Sequence, residues 1–232
     1  MRKFLVFVIF VLIVVAVADR GLHYAAESEI ASRVEQQYEM TSEPEVTIGG
    51  FPFLNQAISG EYGQIRIVTG AVVVDDVQLD RVDVTARDVQ APLSDLMTQP
   101  SVVADTAEAK VLLPYSELQK RLPEGIVIEN EDGQPRMSGD LALGQYSTPV
   151  TADLKVAVDE GSIVVTPADI EVGQSQLGGA DLAEGLLTLQ VPVPEMPFGL
   201  EVQGIEALPN GVEVNAEASD VQLVGGSSPA QG

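Results

Sequence analysis

A chain of 232 residues with a formal net charge of −23 repels nucleic-acid phosphates, so no nucleic-acid partner is expected. Without a single cysteine, disulfides, thiolate zinc sites, iron–sulfur clusters and cysteine nucleophiles are excluded. Apolar residues reach 45%, aromatic ones only 5%, and tryptophan is absent, so the core must rest on Val, Leu, Ile and Ala, a composition that favours strands.

Arg2 and Lys3 open the chain, and an unbroken apolar run follows from Phe4 to Ala18. As a helix rising about 1.5 Å per residue the run spans roughly 22 Å, against about 30 Å for a bilayer's hydrocarbon core. That is short for a membrane span and at the long end for the apolar part of a signal peptide. Ala16-Val17-Ala18 reads as a small-x-small cleavage site ahead of Asp19. The basic N-terminus stays inside and the remainder is delivered outside. Residues 1–18 are therefore expected to be a signal peptide or a signal anchor, with the body exported to a periplasm-like space or to the outer face of the plasma membrane.

From Gly21 to about Met40 the pattern is helical, with Leu22, Ala26, Ile30, Val34 and Tyr38 four apart in one stripe. Strands follow. Ile65–Val68 and Ala71–Val74 are β-branched and apolar. Val82, Val84 and Ala86 alternate with Arg81, Asp83, Thr85 and Arg87, the period-2 signature of a sheet with one wet face. Pro92–Thr98 reads as a short helix bearing Leu96 and Met97, and Ser116–Leu122 as another, with Tyr115, Leu118 and Leu122 on its apolar side. Asn130–Gly133 and Glu160-Gly161 are turns between extended stretches. Pro209-Asn210-Gly211 marks a hairpin, since Asn-Gly tolerates positive φ. Val82-Asp83-Val84-Thr85-Ala86 leading to Asp88-Val89-Gln90 is echoed by Val212-Glu213-Val214-Asn215-Ala216 leading to Asp220-Val221-Gln222. Residues 19–224 are read as one domain, and 225–232, all Gly, Ser, Pro, Ala and Gln, as a disordered tail.

The search for chemistry yields little. His23 is the sole histidine and reads as a surface residue beside the leader, so no Ser-His or Cys-His pair can form in the body. Gly173-Gln174-Ser175-Gln176-Leu177 lacks the second glycine of a nucleophile elbow. Asp75-Asp76 and Glu129, Glu131, Asp132 are carboxylate clusters of the sort that mark turns in an acidic chain. No catalytic residue, metal site or cofactor is expected, and the chain is not read as an enzyme.

What stands out is a pair of apolar loops, Ile48-Gly49-Gly50-Phe51-Pro52-Phe53-Leu54 and Val191-Pro192-Val193-Pro194-Glu195-Met196-Pro197-Phe198-Gly199-Leu200. Loops run over the surface and are usually polar. Apolar ones either plug a core or line an opening.

With these loops in place the sequence resembles the LmeA-type phospholipid-binding proteins of actinobacterial cell envelopes. The resemblance is carried by Gly49-Gly50-Phe51-Pro52-Phe53-Leu54 with Gly60-Glu61-Tyr62, by Val89-Gln90-Ala91-Pro92-Leu93, by Leu113-Pro114-Tyr115-Ser116-Glu117-Leu118, and by Met196-Pro197-Phe198-Gly199-Leu200 ahead of the Pro-Asn-Gly hairpin and Asp220-Val221-Gln222-Leu223. It implies an α+β fold of the tubular lipid-binding kind, a long N-terminal amphipathic helix packed in a highly twisted antiparallel sheet. It also implies non-enzymatic binding or transfer of phospholipid, of phosphatidylinositol type, in support of lipoglycan or envelope lipid maturation. Expected partners are phospholipid and the plasma membrane, met through the leader or by transient contact. The expected lipid-lining residues are Phe51, Phe53, Leu54, Tyr62, Leu96, Met97, Tyr115, Leu118, Met196 and Phe198, with Arg66, Arg81 and Arg87 near the head group. The alternative is a structural or protein-interaction module of the envelope with no lipid ligand, which would bury Phe51, Phe53 and Phe198 together in a sealed core.

Overall fold

Helix α1 (Arg2–Gln37) runs without a break from the apolar run into the body. The computed structural model describes residues 2–74, 77–92, 102–131, 134–143, 146–159, 162–173, 179–192 and 197–224. Residues 2–18 of α1 are exposed along their whole length, whereas Asp19, His23 and Ala31 are buried. The expected stripe holds only in its middle. Ala26, Ile30 and Val34 are half-buried, but Leu22 and Tyr38 are exposed. The packed face starts with polar residues because those residues find hydrogen-bond partners, which a count of apolar positions does not register.

The helix rests on β2 (Glu45–Ile48), β1 (Glu39–Met40) and α2 (Phe53–Ser59). A six-stranded antiparallel sheet has the order β13-β14-β7-β6-β3-β2, with β3 Glu61–Thr69, β6 Arg81–Gln90, β7 Val102–Pro114, β13 Glu201–Leu208 and β14 Gly211–Val224. A five-stranded antiparallel sheet has the order β12-β11-β10-β9-β8, with β8 Ile126–Glu131, β9 Gln134–Leu143, β10 Tyr146–Asp159, β11 Ser162–Val172 and β12 Leu189–Pro192. Strand β1 joins β4 (Val72–Val74) and β5 (Val77–Leu79) in a small third sheet.

The main core lies where the two large sheets meet. Leu113, Val212 and Val214 of one sheet share a buried cluster with Ile126, Met137, Leu141, Val150, Leu154, Ile163 and Val165 of the other. Tyr115 and Leu118 of α3 (Tyr115–Gln119) with Leu122, and Ala183 and Leu187 of α4 (Gly179–Leu187), complete it. The apolar face read for α3 is thus the buried one. Helix α4 was not anticipated, because Gly178, Gly179 and Gly185 mask its periodicity. A second, smaller cluster comprises Ala86, Val89, Ala104, Ala107, Ala218 and Val221, flanked by half-buried Tyr62, Ile65, Val102 and Leu200.

The two Asp-Val-Gln segments occupy equivalent places on either side of β7. The ladder skips Gly63, Asp88, Asp105 and Asp220, which lie in one row across β3, β6, β7 and β14. Ala86 and Val89, Ala107 and Ala104, and Ala218 and Val221 are each three apart yet share the same buried cluster. One extra residue per strand is therefore inserted at the same level of four neighbouring strands, which preserves the register while bending the sheet. Asp88 (φ 50°) and Asp220 (φ 54°) adopt the left-handed conformation there, which aspartate tolerates better than branched residues. Replacing Asp88 with valine is expected to cost about 1–2 kcal/mol, and with asparagine almost nothing. Urea denaturation of the two variants checks this, and equal midpoints would contradict it.

The hairpin at Pro209 also forms, with Leu208 paired to Gly211. The turn residues are Pro209 and Asn210, not Asn-Gly, and neither has positive φ. Gly211 is needed for a different reason: a Cβ there would collide with the Leu113 carbonyl. Glu131 pairs with Gln134 and Asp159 with Ser162 across the other two expected turns. The helix read at 92–98 lies, from residue 93 on, outside the described residues, as does the 225–232 tail.

Candidate functional site

Alternation along β2, β3, β6, β7, β14 and β13 gives the six-stranded sheet one apolar and one charged face. The register arranges the apolar side chains in rows. One row is Val46–Ile67–Val84–Ala109–Ala216–Val202, and the next is Ile48–Ile65–Ala86–Ala107–Ala218. A third is Thr69–Val82–Val111–Val214–Ile205, and beyond the inserted residues comes Tyr62–Val89–Ala104–Val221. Five alanines (86, 107, 109, 216 and 218) therefore adjoin on three neighbouring strands. Each stops a carbon or two short of the Val and Ile around it, and all five are buried. Ala109 and Ala216 are buried but belong to neither core cluster; they form a saddle between the two. Around it Ile65, Ile67, Val84, Val111 and Val202 are only half-buried. A strip of small side chains flanked by branched, partly accessible ones suits a flexible hydrocarbon chain, which needs no directional bonds.

At one edge of this sheet α1 grips the first apolar loop. Asp19 Oδ1 accepts the Leu54 N–H at 2.8 Å. His23 Nε2 donates to the Ile48 carbonyl at 2.9 Å, and Glu27 Oε1 accepts the Ile48 N–H at 2.9 Å. Three polar residues one turn apart thus hold both ends of 48–54. Arg20 lies over the Phe51 ring, 5.1 Å from its centroid. Phe53 packs between His23 at 5.3 Å and Tyr62 at 6.3 Å, which links the helix to the first residue of the Tyr62–Val89 row. His23 is therefore a buried structural residue and not the surface histidine expected. The helical spacing of Asp19, His23 and Glu27 opposite a Gly-Gly loop was the available signal.

The sequence-derived residues fall into separate places. Phe51 is 67% and Phe198 48% exposed, whereas Phe53 is buried, so the three do not form a sealed core. Leu54 and Tyr62 are half-buried at the gripped edge. Phe198 also adopts a left-handed φ of 65°, a strained conformation for a bulky residue. Tyr115 and Leu118 belong to the main core. Leu96, Met97 and Met196 lie outside the described residues.

Arg66, Arg81 and Arg87 are brought together, but on the charged face. Arg66 makes a two-pronged pair with Asp83 at 2.8 and 2.5 Å, Arg81 approaches the same carboxylate at 3.5 Å, and Arg87 meets Glu108 at 3.3 Å. Arg66 holds the Asp83 carboxyl below its ordinary range. Arg66 and Arg87 line a shallow depression of about 280 Å³ with Gln64, Thr85 and Lys110. A lipid whose tail lay on the apolar face could reach these arginines only around the sheet edge, and each already has a carboxylate partner.

The Tyr115 hydroxyl donates to the Leu208 carbonyl at 2.7 Å, and burial pushes its pKa up to about 12. The folded state therefore keeps the phenol protonated where the unfolded chain, near pKa 10, releases it. The resulting stability is fully present below pH ~10 and is lost as pH rises toward 12. Tyr115→Phe should remove most of this alkaline decline, leaving the part that comes from Tyr62, whose phenol pKa burial also raises, and cost about 1 kcal/mol at neutral pH. Thermal melts between pH 8 and 12 measure both, and an unchanged decline in the variant would contradict the assignment.

Among the described residues no group of three or more His, Asp or Glu could hold a metal ion. A family model described as LmeA-like phospholipid-binding matches residues 17–217. No curated protein and no solved structure matches the chain.

Proposed function

Because the chain belongs to the LmeA-like phospholipid-binding family, we propose that it holds phospholipid non-enzymatically, with an acyl chain laid along the alanine-floored face of the six-stranded sheet. The observation that carries this reading is the two adjoining rows of small side chains bordered by half-buried Ile65, Ile67, Val84 and Val202. Tyr62, Phe53 and Leu54 would form the near end, and Phe198 would stand at the rim. Each buried CH₂ contributes about 0.8 kcal/mol, so a 16-carbon chain gains roughly 10 kcal/mol or more over water, before ordering costs. The head group remains at the wet rim, and we do not assign it to Arg66, Arg81 or Arg87.

In this reading the body works on the outer side of the plasma membrane, carrying phosphatidylinositol-type lipid in support of lipoglycan or envelope lipid maturation. Organic extraction of the purified full chain followed by mass spectrometry tests it. About one phospholipid per chain is expected, with inositol lipids enriched. An empty protein that also takes up nothing from liposomes would overturn the proposal.

A further inference from the structure

We propose that the corner built by Arg20, Phe51 and α2 is a membrane-seating surface, pressed into the same bilayer that α1 enters. This rests on α1 staying in the bilayer, not on the acyl-chain site.

The apolar run ends at Ala18. The next two residues are those that hold the loop: Asp19 bonds the Leu54 N–H at 2.8 Å, and Arg20 covers the Phe51 ring. Residues 51–54 therefore lie at the level where the run stops. His23 and Glu27 add a second hold one and two turns on, at Ile48, so loop and helix move as one body.

Length then fixes depth. A run of roughly 22 Å does not fill a hydrocarbon core of about 30 Å. A short span is accommodated by thinning the bilayer and drawing flanking residues toward it. With Arg2 and Lys3 held at the inner surface, Asp19 and Arg20 come no higher than the boundary between acyl chains and head groups, and the bolted loop goes with them.

The surface chemistry matches that depth. Ile58, at 78%, and Phe51, at 67%, are the most exposed large apolar side chains outside α1 among the described residues, and both belong to this corner. Tyr24, one turn beyond Arg20, is 69% exposed. Aromatic rings with an arginine are the side chains that settle at a membrane interface, their apolar bodies in the acyl boundary and their polar ends among head groups. In water the same three large side chains would stand unsheltered. Because the chain as a whole is strongly acidic, burial of these side chains, not charge, must hold the seat.

The absence of cysteine makes the test direct. Single cysteines at Ile58→Cys, Asn55→Cys and, remote on β10, Val158→Cys are labelled with an environment-sensitive fluorophore. The full chain is reconstituted in phosphatidylcholine vesicles with or without lipids carrying a nitroxide near the head group. Labels at 58 and 55 should shift to shorter wavelength and lose emission to the nitroxide, while the label at 158 does neither. Adding Phe51→Ser should weaken the effect at 58. Labels at 58 and 55 that are as wet and unquenched as the one at 158 would overturn the proposal. Lipid extraction of the purified chain before reconstitution reads the acyl-chain site separately, so failure of either idea is distinguishable from failure of the other.

Discussion

Replacing Ala109 with leucine is expected to empty the protein of lipid while leaving the melting temperature of the delipidated protein nearly unchanged. Ala109 sits in the middle of the alanine-floored face, paired laterally with Val84 and Ala216. A leucine there adds three carbons where the acyl chain is proposed to lie. The effect on occupancy is large because of where the lipid comes from. An acyl chain leaving a bilayer exchanges one apolar environment for another, so the hydrophobic term nearly cancels and the close contacts of individual atoms decide the outcome. The effect on stability separates the two readings of the face. If the space is kept for a ligand, leucine fills it without strain. If the interior is already solid, overpacking costs about 1–3 kcal/mol, which lowers the melting temperature of a chain this size by several degrees, at about 2–4 °C per kcal/mol. The comparison must use delipidated protein, since bound lipid itself stabilises the folded state.

Changing His23 to phenylalanine should lower stability by about 2–3 kcal/mol, or roughly 5–10 °C in melting temperature. Phenylalanine keeps a ring against Phe53 and removes only the nitrogens. Arg20 Nη1 lies 3.5 Å from Nδ1, and Nε2 faces both the Ile48 carbonyl at 2.9 Å and Glu27 Oε1 at 3.2 Å. The geometry fits a hydrogen on Nε2 shared by two acceptors, with Nδ1 accepting from arginine. Without it a buried carbonyl loses its donor and the Glu27 carboxylate keeps only the Ile48 N–H, and leaving buried polar groups short of partners is the expensive part of losing a hydrogen bond. Amide exchange from Ile48 to Leu54 should quicken as well. A variant with wild-type melting and wild-type exchange would show that the grip of α1 on the loop contributes nothing.

Much of the body could be read from alternation alone. Val82, Val84 and Ala86 on one side and Arg81, Asp83 and Arg87 on the other fall on opposite faces of β6, as period 2 requires. That same alternation already separated the arginines from any lipid on the apolar side, a consequence that charge matching alone overlooks. The family resemblance was legible because several short motifs occur in order along the chain. The inserted row at Gly63, Asp88, Asp105 and Asp220 was not legible, since a bulge shared by four strands needs the register to be known. Nor was the alanine floor: single alanines are neutral in any one strand, and only pairing of β6, β7 and β14 assembles them. The polar grip of Asp19, His23 and Glu27 escaped for the opposite reason, because buried hydrogen-bonded side chains look like surface ones in a hydrophobicity pattern.

Phe53 and Tyr62 pack against each other between the corner and the apolar face of the sheet, so an acyl chain passing from the proposed bilayer contact to the proposed floor would run beside them. The most direct measurement is photo-crosslinking with a phospholipid that carries a diazirine within its acyl chain, followed by peptide mapping. Adducts are predicted on the apolar rows around Val84, Ala109 and Ala216. Adducts confined to α1 and the Phe51 loop, with none on those three strands, would contradict an acyl chain held within the body.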